Sequence, residues 1–111
     1  MLEPGPESRR WTRHNIDVRL KVSLESGGRR DPAFGRGSSL SEGGMGAYIP
    51  CVLEIGSTLQ LEMTFPYTSS EVTLKAVVKT CEGFRYGLEF VNVPEHVRVE
   101  IMKNCDSAAM Q

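Results

Sequence analysis

Three arginines, Arg9, Arg10 and Arg13, fall within five positions in the stretch "RRWTR", together with the chain's single tryptophan, Trp11. A guanidinium is a planar fork that meets two acceptors at once, whether phosphate oxygens or the O6 and N7 edge of guanine, and it also stacks on aromatic faces. A cluster of this kind is chemistry for an anionic guest. The second informative stretch is "SLSEGGMGAYI", in which Ser39, Ser41 and Gly44 supply two small hydroxyls and a glycine, which lets a ligand approach the backbone closely. A cationic clamp facing a polar surface poor in side chains suits a flat, doubly phosphorylated molecule.

The charge distribution points the same way. The formal net charge is only -1, yet residues 9–36 hold eight Lys/Arg against Asp17, Glu25 and Asp31, while residues 37–111 hold five against nine Asp/Glu. The amino-terminal end is a cationic face and favours a nucleotide, a nucleic acid or a phosphate.

Catalysis finds no foothold. The two histidines, His14 and His96, have no nucleophile motif near them, and "SLSEGG" is not set between a strand and a helix as a hydrolase nucleophile turn would be. No P-loop or dinucleotide fingerprint is present. Cys51, Cys81 and Cys105 are odd in number and far apart, without a CxxC pair or a Cys/His cluster, so they read as reduced thiols, with neither a disulfide framework nor a metal site. An enzyme is not expected, and neither is a cofactor.

The elements that must position these residues are strands. From Ile16 apolar side chains recur at Val18, Leu20, Val22 and Leu24; "GSTLQLEMTF", "SEVTLKAVVKT" and "FRYGLEFVNV" repeat the period of two, the last placing Phe84, Tyr86, Leu88 and Phe90 inward. "RRDPAFGRGSSLSEGG" is poorly patterned and reads as loop or irregular edge strand, and "MGAYI" as a short strand of undetermined facing. Five or six strands joined by short turns, with no helix between them, indicate an all-β antiparallel barrel or sandwich. Past Pro94 the period changes, and Val97, Ile101 and Met102 mark a short helix lying across an open end. At 111 residues and 40% hydrophobic this is one domain. No apolar run reaches the ~20 residues of a membrane span and "MLEPGPES" lacks a signal peptide's apolar stretch, so a cytoplasmic protein without membrane association is expected.

These motifs and their order resemble the PilZ domain, a bacterial receptor family for cyclic di-GMP. "RRWTR" matches its RxxxR motif at Arg9 and Arg13, "SLSEGG" matches [D/N]xSxxG at Ser39, Ser41 and Gly44, and "YGLEF", Tyr86 to Phe90, is similar to its late strand. The resemblance implies a six-stranded antiparallel β-barrel of split-barrel type with a short C-terminal helix over residues 9–105, flanked by flexible tails at 1–8 and 106–111. It implies a cyclic di-GMP receptor in which Arg9 and Arg13 close over the ligand with Arg10 assisting, Ser39 and Ser41 lend hydroxyls, and Gly44 keeps the backbone clear. Ser39 departs from the family's Asp or Asn, which weakens the expected contact to guanine. On this reading the ligand orders the amino-terminal arm, and a downstream protein partner of unknown identity reads the change. Two rivals remain: an adaptor of the same fold that binds proteins without the dinucleotide, and a basic-armed barrel for single-stranded nucleic acid, disfavoured because the aromatics fall in core register.

Overall fold

The computed structural model describes residues 12–24 and 32–110. The alternation seen in the sequence becomes β1 (His14–Leu24), β4 (Thr58–Thr64), β5 (Glu71–Glu82) and β6 (Arg85–Val91), with Val18, Leu20, Leu61, Leu74 and Leu88 all turned inward. β3 (Gly44–Tyr48) points Met45 and Ala47 into the core and Gly46 and Tyr48 outward. All neighbours are antiparallel, and the order β1-β2-β3-β6-β5-β4 closes on itself as a barrel.

One segment read from the sequence as loop or irregular edge is a full strand, β2 (Ala33–Leu40). Its pattern is muted because Gly35 and Gly37 take the inward positions. At Gly37 a Cβ would lie 2.7 Å from the Met45 Cε and 2.8 Å from Val18 Cγ1, so Met45 fills from β3 the space that a β2 side chain would otherwise occupy. Register shifts between Asn15 and Val18 on β1, and between Gly37 and Ser39 on β2, bring Leu40 into the core at 0% exposure. A second correction concerns Phe84. It belongs to the turn after Gly83, whose φ is +64°, and its ring is 43% exposed instead of buried.

Helix α1 (Glu95–Ala109) follows Pro94 and is longer than the apolar stripe suggested, so that residues 106–109, expected within a tail, are helical. A lone helix of this length is marginal in water, but burying Val97 and Ile101 contributes roughly 1.5–3 kcal/mol each, enough to hold it on the barrel. Asn104, fully buried, adds direction: its Oδ1 accepts from the Tyr67 amide at 3.0 Å and its Nδ2 donates to Thr68 Oγ1 and the Glu100 carbonyl. No helix among the described residues is long and apolar enough to cross a membrane.

Candidate functional site

Pairing converts sequence-distant residues into a row. Across β1, β2, β3, β6 and β5, Asn15 stands opposite Ser39, Ser39 opposite Gly46, Gly46 opposite Gly87, and Gly87 opposite Thr80. From Ser39 to Thr80 this strip of hydroxyls and glycines forms the floor of an open groove of about 1060 Å³ on the outer barrel wall, with Arg13 at its rim. Gly46 is required for the arrangement. A Cβ there would lie 2.7 Å from Ser39 Oγ and 3.2 Å from Arg13 Nη1, so its absence makes room for both side chains. Ser39 Oγ in turn accepts from the Gly46 amide at 3.1 Å and from Arg13 Nη1 at 3.4 Å. The first and second motifs therefore meet at Ser39.

Ser41 and Gly44 have a different place. Ser41 is 5% exposed, and its hydroxyl accepts from the amides of Gly43 and Gly44 and donates to the Gly44 carbonyl, while the Ser41 amide donates to the same carbonyl at 2.9 Å. These bonds close the β2–β3 turn. At Gly44 a Cβ would run into the Leu88 carbonyl oxygen, so only glycine lets β3 approach β6 there. Both residues shape the hairpin that presents Ser39, and neither the Ser41 hydroxyl nor Gly44 lies on the groove floor. Arg9 and Arg10 lie outside the described residues, as does Trp11. His14 is half-buried at the start of β1.

The cations of the groove are not equivalent. Arg36 Nε donates to Asp17 Oδ1 at 2.6 Å, and this contact holds the Asp17 carboxyl below its ordinary value while raising the guanidinium of Arg36. Both groups are exposed, so the pair adds little stability. Arg85 stands opposite Tyr48 across β3 and β6, and Cys81 is an exposed thiol on the neighbouring strand. No cluster of His, Cys, Asp or Glu among the described residues is placed to hold a metal ion. Gly46, Gly87, Thr80, Tyr48, Arg36 and Arg85 were not identifiable as groove residues in the sequence; the local signals were Gly46 within the "GGMG" run and Gly87 within "YGLEF".

A closed six-stranded antiparallel barrel, crossed by one C-terminal helix and grooved beside its first strand, defines the class of domain. The chain belongs to the PilZ domain family, whose description matches residues 7–105. Among solved structures, the PilZ domain of YcgR from Escherichia coli with c-di-GMP aligns at a TM-score of 0.72 and 20% identity over 92% of this chain and 92% of that one. The PilZ domain of CeSA from a cellulose-synthesizing bacterium aligns at 0.66 and 14% identity over 86% and 96%. The Bacillus subtilis inhibitor of motility MotI/DgrA aligns at 0.74 and 14% identity over 92% of this chain and 51% of that protein, so this chain spans about half its length. A comparison with curated proteins finds no match.

Proposed function

We propose that this PilZ domain is a non-enzymatic receptor for cyclic di-GMP, bound on the outer barrel wall between the arginine motif and the hydroxyl-and-glycine floor. The observation that carries the reading is the meeting of Arg13, Ser39 and Gly46 at one point of the groove. A guanidinium there grips a phosphate or the guanine edge, and the floor offers polar contacts without bulk. The likeness in fold to the YcgR domain, solved with c-di-GMP, supports the same ligand. Arg9 and Arg10 precede Arg13 by four and three residues, so ligand phosphates draw further cations toward the barrel. The resulting position of the arm relative to the wall is the signal that a protein partner reads.

Ser39 favours one rival, an adaptor that has lost the ligand, because a neutral hydroxyl replaces the family's Asp or Asn. Titration calorimetry with cyclic di-GMP on the wild type and on Arg13→Ala decides between them. The receptor reading expects saturable binding that weakens roughly ten- to a hundredfold in Arg13→Ala with an unchanged Tm, since one charge-assisted contact is worth about 1.5–3 kcal/mol. No heat of binding with the wild type refutes it and leaves the adaptor. Steeply salt-dependent binding of single-stranded RNA, with indifference to the dinucleotide, would refute it in favour of a nucleic-acid barrel.

A further inference from the structure

A second row crosses the same strands beside the floor. Arg19 stands opposite Arg36, Arg36 opposite Tyr48, Tyr48 opposite Arg85, and Arg85 opposite Glu82. Successive outward positions of a strand are about 7 Å apart, so Tyr48 stands one such step along β3 from Gly46, and Arg85 one step along β6 from Gly87. The row is therefore a wall beside the floor, within reach of one ligand that spans both. Its middle member is aromatic. Tyr48 is 50% exposed, and its ring is braced by Phe84, with centroids 6.2 Å apart and planes at 86°.

The wall is cationic as well as aromatic, and its two inner arginines differ. Arg36 is engaged by Asp17, whereas the Arg85 side chain, exposed on the groove, makes no hydrogen bond or ion pair among the described residues. A half-exposed ring beside an unengaged guanidinium presents two separate affinities, one for the face of a base and one for a phosphate. The groove's 1060 Å³ lies just above the range for a small-molecule site, about 300–1,000 Å³, and its lining extends past the corner at Arg13 and Ser39 to Tyr48 and Arg85. Sheet geometry fixes the wall to the floor, because Gly46 and Tyr48 share a strand, as do Gly87 and Arg85.

We infer that the Arg36–Tyr48–Arg85 row is a second contact subsite of the groove, in which a guanine of cyclic di-GMP stacks on Tyr48 and Arg85 meets a phosphate. This inference rests on the reading that cyclic di-GMP is the ligand, and it goes further in assigning ligand contacts to residues outside both motifs. Arg36 holds its place through Asp17 and contributes field more than a direct bond.

Calorimetry with cyclic di-GMP on the wild type, Tyr48→Leu, Tyr48→Phe and Arg85→Gln tests it, with Tm measured for each. Expected are affinities within about twofold of wild type for Tyr48→Phe, which keeps the ring, and losses of roughly five- to fiftyfold for Tyr48→Leu and for Arg85→Gln. The Tyr48 ring resonances of the wild type should also shift upfield on saturation. If the wild type binds while folded Tyr48→Leu and Arg85→Gln bind equally well, the subsite is refuted and the receptor reading stands. A Tyr48→Phe loss matching that of Tyr48→Leu refutes stacking. A wild type that does not bind refutes both. Should Tyr48→Leu fold poorly, Arg85→Gln decides alone, because Arg85 is exposed and engages nothing whose loss would unfold the barrel.

Discussion

Ser39→Asp isolates the point at which this chain departs from its family. The Ser39 oxygen already accepts twice, from the Gly46 amide at 3.1 Å and from Arg13 Nη1 at 3.4 Å. A hydroxyl has two acceptor lone pairs, so Ser39 has only its proton left to offer and cannot also receive the N1 and N2 hydrogens of guanine. A carboxylate has about four acceptor sites; two would keep Gly46 and Arg13 in place and two would face the base. Hydrogen bonds to a charged acceptor are worth about 1.5–3 kcal/mol each, and part of that gain is spent on desolvating the carboxylate and on neutralising Arg13. A net gain equal to about one such bond remains, so the variant should bind cyclic di-GMP roughly ten- to a hundredfold more tightly. Titration calorimetry of the wild type, Ser39→Asp and Ser39→Asn at fixed salt reads this directly, with Asn falling between the two. An unchanged or weakened affinity in a folded Ser39→Asp would refute the assignment of Ser39 to the guanine edge.

Two other predictions concern the scaffold. In Gly44→Ala the new Cβ meets the Leu88 carbonyl oxygen, which belongs to a paired strand and cannot give way; thermal unfolding should show a loss of about 2 kcal/mol or more, or about 8 °C or more in Tm. Glu100 on α1 accepts from Ser70 Oγ at 2.7 Å, and the hydroxyls of Ser70 and then Thr68 hold its carboxyl below the ordinary value of 4.5. A depressed folded-state value contributes stability that is present above the unfolded carboxylate range and is lost as pH falls through the lowered folded value. The acid side of the stability profile of Glu100→Gln should therefore be flatter than that of the wild type in chemical denaturation between about pH 5 and pH 3.

How much was legible depended on which face carried the signal. β1, β4, β5 and β6 could be read because bulky residues alternate with polar ones, as at Val18, Leu20 and Val22 or Leu59, Leu61 and Met63. β2 hid because its inward positions are Gly35 and Gly37, and the residue that fills the space above Gly37, Met45, arrives from the next strand. Alternation carried one step too far put Phe84 in the core, since the positive φ at Gly83 ends the strand pattern before it reaches that ring. On the helix, Asn104 is buried through its bonds to Tyr67, Thr68 and Glu100, a polar member of the inner face that no apolar stripe could announce. The motif residues were visible in the sequence, but the direction of the Ser41 hydroxyl was not: it turns into the hairpin.

The floor and the wall of the groove were hidden for a deeper reason, which is that each row is a property of register and exists only once five strands are paired. Register here is set by the core. Leu40 and Met45 are opposite one another on β2 and β3 and both essentially unexposed, and a slip of one residue would turn Leu40 to water and Ser39 inward. Because the register shift between Gly37 and Ser39 is what reconciles Gly37 and Leu40 both facing the core, it also decides that Ser39 meets Gly46 and that Arg36 meets Tyr48. The apolar packing inside the barrel thus dictates which polar groups face one another outside it, and a substitution that shifts this pairing should degrade ligand affinity without touching any residue of the groove.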